Sequence, residues 1–160
     1  MAILGLVHSP NVLFGDGGDD TMDGGPGNDA LFGGSGNNSY LFARGDGRDW
    51  IQTTSDDAQD AAVFTGAIAH DQLWFARSGD DLVMSVIGED QTVTVSGWYS
   101  GNALTRVSAS DGYDVTVAGV EALVQAMSGF GPPSAGQAVL TPAQATALLP
   151  TLAATWQHAA

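Results

Sequence analysis

Glycine and oxygen-bearing residues recur every nine positions near the start of the chain. From Gly15 the sequence divides into three segments, GDGGDDTMD, GGPGNDALF and GGSGNNSYL. Each segment has Gly at its first and fourth positions and an oxygen-bearing side chain at its sixth, namely Asp20, Asp29 and Asn38. Calcium is a hard cation that takes about six to eight oxygen ligands, and backbone carbonyls serve as well as carboxylates. The pattern therefore predicts calcium-binding corners.

The same nine-residue period predicts the element that must position these oxygens. The eighth position of each segment is a large apolar residue, in order Met22, Leu31 and Tyr40. Six residues would turn a corner and three would form a short strand, so that successive corners lie on opposite edges of a coil of β-structure. Corners two repeats apart would then stack on one edge at about 4.8 Å. We therefore expect Asp20 to face Asn38 across one ion.

Corners on the other edge extend the pattern in both directions. Downstream, the segment 45–49 (GDGRD) places Asp49 where it would face Asp29. Upstream, Asn11 begins a degenerate half-repeat, so Asn11 and Asp29 are expected to share a weaker site. The Asn38 site should also be weaker, because it has one formal charge fewer. The predicted ligand and corner residues are Asn11, Gly15, Gly17, Gly18, Asp20, Gly24, Pro26, Gly27, Asp29, Gly33, Ser35, Gly36, Asn38, Gly45, Gly47 and Asp49.

These repeats resemble those of the RTX exoproteins, the glycine- and aspartate-rich proteins that bacteria export by type I secretion. Residues 40–42 (YLF) followed by 45–49 resemble the sequence that closes such arrays. The alternative is an acidic disordered linker, but the fixed phase of the apolar residues favours calcium binding. The resemblance implies a parallel β-roll over residues 1–51 and a secreted, extracellular protein. From the stacked corners we expect about two to three calcium ions.

The bulk composition agrees with a cation as the natural partner. The chain of 160 residues has a formal net charge of −14, with four Arg, no Lys and no Cys. Such a chain cannot neutralise phosphates, which excludes nucleic acid, and it is not expected to bind an anionic membrane surface. No apolar stretch approaches the length needed for membrane insertion. Residues 1–7 lack a basic leader, so no N-terminal signal peptide is expected and an export signal should lie elsewhere.

Beyond the repeats the periodicity changes. Residues 52–60 (QTTSDDAQD) are predicted to form a polar connecting loop. Short alternating runs follow, separated by turn signals at 78–80, 88–90 and 111–112. They predict a β-rich region over residues 52–117, whose order resembles the haemolysin-type calcium-binding-related domain that often follows RTX arrays. The residues expected to be buried there are Trp74, Phe75, Leu82, Met84, Val93, Val95 and Trp98.

The last segment, residues 118–160, is predicted to be a helical cap. Apolar spacing predicts a helix over 117–127. The sequence at Thr141 predicts a second helix start, with a capping box, and Pro150 is expected to end that helix. The tail also resembles the uncleaved C-terminal signal of type I secretion substrates, which implies the secretion apparatus as a partner. A signal read in the unfolded chain could later fold as a cap.

Catalysis finds little support in the sequence. The three His residues are far apart in sequence, at His8, His70 and His158, and no nucleophile-elbow motif occurs. We therefore predict a non-enzymatic, mainly β protein: a calcium-driven folding module with an export signal. Two alternatives stay open. In the first, the chain is the C-terminal piece of a larger secreted enzyme or adhesin. In the second, it is a module that binds a glycan or protein through its β-rich half.

Overall fold

The fold is mainly β, as the sequence predicts. The computed structural model describes residues 1–5, 9–54, 58–131, 133, 136–137 and 139–158. His8 and residues 55–57 of the predicted loop lie outside this part of the chain. Two sheets face each other, and two helices follow near the C-terminus.

Seven short parallel strands build the roll. Consecutive strands alternate between the two sheets, so that the odd strands neighbour one another in the order β1-β3-β5-β7 and the even strands in the order β2-β4-β6. We call these the odd sheet and the even sheet. The strands are β1 (Ala2–Leu4), β2 (Val12–Phe14), β3 (Thr21–Asp23), β4 (Ala30–Gly34), β5 (Ser39–Phe42), β6 (Arg48–Thr53) and β7 (Ala61–Phe64).

The eighth position of each repeat sets the register of the roll. Met22, Leu31 and Tyr40 point inward and are fully buried. Met22 pairs with Tyr40 and Leu31 with Leu13, so one coil of the roll takes two nine-residue repeats. Apolar side chains at one fixed phase therefore fill the narrow space between the two sheets.

Both sheets continue without a break into the β-rich region. In the even sheet, β10 (Thr92–Val95) pairs in parallel with β6, and β9 (Asp81–Val86) and β8 (Leu73–Ser78) complete an antiparallel meander. In the odd sheet, β11 (Arg106–Ser108) pairs in parallel with β7. The hairpin partner β12 (Tyr113–Thr116) and the short β13 (Gln157–His158) follow in antiparallel order. All the residues predicted to be buried in this region are buried, in one core continuous with the roll.

Two details of this region differ from the sequence-based expectation. Gln52 and Thr53, assigned to a loop, continue strand β6, and Asp60 at the other end of that loop is buried. The alternating run after the turn signal at 88–90 predicts a strand from Gln91 to Trp98, but the strand ends at Val95. Trp98 instead begins a short 3-10 helix (Trp98–Ser100), whose turn still buries the indole.

Two helices cover the far end of the even sheet. Helix α1 (Val117–Met127) matches the predicted range and packs against β8 and α2. Helix α2 (Pro142–Thr155) begins at the predicted capping box, in which Thr141 Oγ1 accepts the Gln144 N–H at 3.2 Å. None of the helices in the described ranges is long and apolar enough to cross a membrane.

Pro150 does not end α2, so that prediction is wrong. The helix runs through Pro150 to Thr155. Proline removes one backbone hydrogen bond and strains the preceding turn, at a cost of about 3 kcal/mol. Leu148 and Leu152, on either side of Pro150, are both buried in the core. Burying two such side chains gains about 1.5–3 kcal/mol each, which is enough to hold the helix through the proline.

Candidate calcium site

Sixth-position side chains form a column along one edge of the roll. The Asp20 N–H donates to Asn38 Oδ1 at 3.1 Å, and the Asn38 N–H donates to Asp60 Oδ1 at 2.7 Å. All three residues are buried. The structure thus brings Asp20 and Asn38 together as expected. Asp60 extends the same column into the segment that the sequence assigned to a loop.

A matching column lies on the opposite edge. The Asn11 N–H donates to Asp29 Oδ1 at 2.7 Å, and the Asp29 N–H donates to Asp49 Oδ1 at 2.9 Å. Asp29 and Asp49 are buried, while Asn11 is half-buried. The predicted neighbours Asn11, Asp29 and Asp49 are therefore adjacent. Each one reaches toward the coil next to it, so a single carboxylate contacts two corners.

The fifth-position side chains form a second, outer ladder of hydrogen bonds. The Asn37 N–H donates to Asp19 Oδ1 at 2.9 Å, and the Gln59 N–H donates to Asn37 Oδ1 at 2.8 Å. On the other edge the Arg48 N–H donates to Asn28 Oδ1 at 3.0 Å. Side chains of neighbouring coils therefore occupy the backbone donors at the fifth and sixth positions. The corners are left with carbonyl and carboxylate oxygens, which are the ligands that calcium prefers.

Glycines make room for this stacking. At Gly36 the φ angle is 104°, a conformation that L side chains rarely adopt, and an added Cβ would lie 2.5 Å from the carbonyl carbon of Gly18. At Gly24 an added Cβ would lie 2.7 Å from Cγ of Asp29. The sixth side chain thus folds back over the first residue of its own repeat. Any residue larger than Gly at these positions would push the corner apart.

All the predicted site residues lie at the two edges of the roll. Corners of one edge are joined by backbone pairing, for example between Gly17 and Ser35 on one edge and between Gly27 and Gly47 on the other. The first edge holds Gly15, Gly17, Gly18, Asp20, Gly33, Ser35, Gly36 and Asn38. The second edge holds Asn11, Gly24, Pro26, Gly27, Asp29, Gly45, Gly47 and Asp49.

Two buried carboxylate oxygens are suited to binding a cation. Oδ2 of Asp20 and Oδ2 of Asp29 are both shielded from solvent and have no hydrogen-bond partner. Leaving a buried polar atom unsatisfied costs about 1–3 kcal/mol, and more for a charged group. Such atoms in a native fold call for an explanation, and a bound ion is one. The residues present therefore fit calcium at both edges.

The raised pKa values of carboxyl groups on the second edge also favour a bound cation. Burial, the largest cause, raises the pKa of the Asp49 carboxyl to about 7, although the Asp29 N–H lowers it. The nearby carboxylates of Asp29, Asp46 and Asp23 raise it further. Burial likewise raises the pKa of Asp46. A cation among these carboxylates would offset both the desolvation and the repulsion.

Sequence reasoning did not include Asp23 and Asp46 in the site. Asp46 is buried in the closing corner, where its Oδ2 accepts the Ala43 N–H at 2.6 Å and its carbonyl accepts the Gly27 N–H at 2.8 Å. The signal that could have found Asp46 is its place between Gly45 and Gly47. Asp23 ends the first complete repeat, a position that carries Phe32 in the next repeat, so periodicity gave no sign of it.

Side chains alone do not make up a complete site. Within the described residues, no three His, Asp or Glu side chains are grouped so that they could hold a metal ion. An ion in a corner would therefore take most of its ligands from backbone carbonyls, which the glycine conformations make available.

An amide side chain closes the last corner of the second edge. Gln91 Nε2 donates to the carbonyl of Ala43 at 2.7 Å, and the Gly45 N–H donates to Gln91 Oε1 at 3.1 Å. Beside it, Arg44 pairs with Glu89 at 2.5 Å. The turn between β9 and β10 thus supplies hydrogen-bond partners to the backbone of the final corner, which has no further repeat beside it in the even sheet.

Two of the His residues that are distant in sequence meet in the fold. His70 and His158 both pack on the ring of Tyr113, with centroid separations of 4.3 Å and 5.1 Å. His70 Nδ1 lies 2.6 Å from Asp111 Oδ2, so its carboxylate partner is Asp111. This group joins the β11–β12 hairpin to the C-terminal strand, away from the corners.

These features define a class of protein: a short parallel β-roll whose stacked, oxygen-lined corners suit calcium. Comparison with known families agrees, since residues 10–40 match the family model described as "RTX calcium-binding nonapeptide repeat (4 copies)". Residues 10–40 are therefore similar to RTX nonapeptide repeats. RTX nonapeptide repeats bind calcium, and RTX repeat regions are generally structural modules.

Two known proteins are similar to parts of this chain. The multifunctional-autoprocessing repeats-in-toxin of Vibrio vulnificus is 35% identical over 96 residues, a match that covers 47% of this chain and 2% of the toxin. The crystal structure of an extracellular lipase from Serratia marcescens is matched at 27% identity and a TM-score of 0.37, covering 56% of this chain and 17% of the lipase chain. The chain therefore spans a small fraction of the length of either protein.

Proposed function

We propose that the chain is a calcium-dependent folding module of a secreted protein. The observation that carries this proposal is the pair of buried, unsatisfied oxygens, Oδ2 of Asp20 and Oδ2 of Asp29. Oδ1 of Asp20 lies 3.2 Å from the Met1 ammonium and Oδ1 of Asp29 accepts the Asn11 N–H, but a cation in each corner would also satisfy the two buried Oδ2 atoms.

The roll should be disordered when calcium is withheld. Without a cation, Asp49, Asp29, Asp46 and Asp23 repel one another on the second edge. Ordering the glycines of the corners also costs more conformational entropy than ordering other residues. Calcium binding would supply the missing free energy, because a site that exists only in the folded chain couples binding to folding.

We propose two to three ions, each held between stacked corners. Asp20 and Asn38 would hold one ion, and Asp29 and Asp49 a second. Asn11 and Asp29 would form the third and weakest site, since Asn11 is half-buried and brings no charge. Asp46 lies close enough to the second site to strengthen it electrostatically.

The same proposal assigns a role to each of three segments of the chain. Residues 1–51 would form the calcium-dependent roll, residues 52–117 its β-rich continuation, and residues 118–160 a helical cap that also acts as the type I secretion signal. Calcium is scarce in the cytosol, so the roll would stay unfolded until export. Outside the cell, at about millimolar calcium, the corners would fill and the chain would fold.

A calcium titration followed by calorimetry and by circular dichroism tests this proposal. We expect two to three ions per chain and a gain of β-structure on calcium addition. Replacing both Asp20 and Asp29 with Ala should abolish that gain, whereas the matched change Asp71→Ala, at an exposed residue outside the corners, should preserve it. Equal β-content with calcium and with a chelator would refute the proposal.

The export role needs a separate experiment. Deleting residues 137–160 should stop secretion by a type I system and leave calcium binding by the corners in place. If the shortened chain still reaches the medium, these residues act only as a structural cap.

A second candidate is that the module is one part of a larger secreted enzyme or adhesin. The observation that favours it is coverage, since the chain matches 2% of the repeats-in-toxin protein. The natural reading frame decides this point: an open frame that extends upstream of Met1 supports the larger protein.

A further inference from the structure

The sixth-position side chain of the third repeat places a different atom inside its corner. In the first repeat, Oδ2 of Asp20 lies over the first glycine, so that an added Cβ on Gly15 would lie 2.7 Å from it, and the second repeat is arranged in the same way. In the third repeat, Nδ2 of Asn38 lies in this place, 2.7 Å from an added Cβ on Gly33. A hydrogen-bond donor thus occupies the position at which the other two repeats present a carboxylate oxygen.

The Asn38 amide donates to carbonyl oxygens of its own corner. Asn38 Nδ2 lies 3.2 Å from the carbonyl oxygen of Gly36 and 3.4 Å from that of Gly34. In the next coil, the Thr54 hydroxyl donates to the same Gly34 oxygen at 3.0 Å. Backbone carbonyls are among the oxygen ligands that calcium takes. In this corner, however, donors of the protein itself already occupy them.

The second hydrogen bond of Asn38 fixes the orientation of its amide. Asn38 Oδ1 accepts the Asp20 N–H at 3.1 Å, on the side of the preceding coil. A reversed amide would place its NH2 against that N–H and its oxygen against the two carbonyls, so only one orientation suits all the partners. Asn38 is fully buried, so these hydrogen bonds are shielded from water.

The third corner is therefore satisfied without an ion. The buried oxygens Oδ2 of Asp20 and Oδ2 of Asp29 lack a hydrogen-bond partner, whereas Oδ1 and Nδ2 of Asn38 each have one. A cation beside Nδ2 would meet amide hydrogens that carry partial positive charge. It would also have to break their bonds to the carbonyl oxygens, and leaving those hydrogens unpaired in a buried site costs free energy. This side of Asn38 does not fit calcium.

An amide also lies at the end of the second edge. Gln91 is buried, donates from Nε2 to the carbonyl of Ala43 and accepts the Gly45 N–H at Oε1. Gln91 comes from the β-rich region, beyond the last repeat, and it meets the backbone of the last corner as Asn38 meets that of its own. Both edges of the roll thus join the β-rich region through a buried, uncharged amide.

We propose that these two amides take the places of calcium ions and end the series of ions, Asn38 on the first edge and Gln91 on the second. On the first edge, Asn38 separates Asp20 from Asp60, whose Oδ1 accepts the Asn38 N–H. The ion between Asp20 and Asn38 keeps Asn38 Oδ1 as its neighbour, and no ion lies between Asn38 and Asp60. The inference rests on the proposed function, because an amide replaces an ion only in a roll whose other corners bind calcium.

The amides limit the number of ions that folding requires. When sites exist only in the folded chain, each ion bound adds to the calcium dependence of folding. An amide belongs to the chain and is present at any calcium concentration. Asn38 and Gln91 thus join the roll to the β-rich region without adding to its calcium requirement.

Native mass spectrometry of the full chain in calcium counts the ions and tests this inference. Asn38→Asp removes the donor, frees the two carbonyl oxygens and adds a charged ligand opposite Asp60, so we expect one ion more than in the wild-type chain. Gln91→Glu should likewise add one ion. The matched control Asn37→Asp adds the same charge at the adjacent residue, whose Oδ1 accepts the Gln59 N–H in the outer ladder, and should leave the count unchanged.

Circular dichroism on the same samples separates the possible failures. If one of the two variants does not fold in calcium, the ion count of the other decides. Equal counts in the wild-type chain and the folded variants would overturn the inference and leave the calcium proposal standing. So would an extra ion in Asn37→Asp, since added charge alone would then explain the gain, and so would failure of both variants to fold in excess calcium, since no ion would then have replaced either amide. No gain of β-content in the wild-type chain would instead refute the proposed function.

Discussion

Replacing Asp49 with Asn should have opposite effects with and without calcium. Asp49 is 4% exposed, and its Oδ1 accepts the Asp29 N–H. The Asn side chain has nearly the same volume and retains an acceptor for that hydrogen bond. The substitution therefore removes the charge and leaves the packing in place. A role in calcium binding and a purely structural role for Asp49 predict different results.

The magnitude follows from the pKa of Asp49. Burial raises it from an ordinary value of 3.8 to about 7 in the calcium-free fold. Because the folded pKa lies above the unfolded one, ionised Asp49 destabilises the fold. The penalty is absent below pH 3.8, grows as pH rises, and is complete above pH 7. A shift of about three units corresponds to roughly 4 kcal/mol.

The Asn variant should escape this penalty when calcium is absent. At pH 8 with a chelator we expect Asp49→Asn to stabilise the roll by up to about 4 kcal/mol, and near pH 4 to have little effect. With calcium the sign reverses, because the site loses a charged ligand. We expect at least about tenfold weaker binding, or about 1.4 kcal/mol.

Circular dichroism with a chelator, at pH 8 and near pH 4, measures how much β-content Asp49→Asn gives the calcium-free chain, and a calcium titration measures the loss of binding. Asp71→Asn is the control, because Asp71 is exposed and lies outside the corners. Equal β-content of Asp49→Asn and the wild-type chain at pH 8 with a chelator would refute the reasoning, since it would show that the charge of Asp49 does not oppose folding.

Three further substitutions test other parts of the structure. Gly24→Ala should weaken calcium-induced folding, because its Cβ would lie 2.7 Å from Cγ of Asp29. The control Gly131→Ala places its Cβ in open space and should leave folding unchanged. Equal calcium titrations for the two variants would contradict this prediction. Ala67→Gly should raise the free energy of unfolding by about 1 kcal/mol, because Ala67 has a φ of 64°, and an unchanged urea midpoint would argue against strain there. Thr141→Ala should cost about 1 kcal/mol of stability in calcium by removing the N-cap of α2, and full stability would show that the cap is dispensable.

The sequence predicted best where one physical rule determined the structure. In the repeats, an apolar residue every nine positions determined the register, and the pairing of Met22 with Tyr40 follows from that period alone. The start of α2 was equally accessible, because Thr141 and Gln144 form a local capping box that needs no distant partner. Both predictions depend on residues close together in sequence.

Predictions failed where distant packing determined the outcome. After Phe42 the coils lengthen: Leu31 pairs with Ile51, and Tyr40 with Ala62, so the nine-residue count no longer locates a corner. Asp60 therefore looked like part of a polar loop, although it continues the column below Asn38. The prediction that Pro150 ends α2 failed for the same reason, because burial of Leu148 and Leu152 outweighs the tendency of proline to end a helix.

Unequal coil lengths give the roll a distinctive response to force. Each coil touches only its neighbours, so tension on the N-terminus loads the outermost strand first and should peel the ribbon turn by turn. The pairs Leu13–Leu31, Leu31–Ile51 and Tyr40–Ala62 are separated by 18, 20 and 22 residues. At about 3.4 Å per residue, the extension gained in successive unfolding steps should therefore rise from roughly 60 Å to roughly 75 Å. Calcium concentration would change the force at which each step occurs and leave the extension per step unaltered.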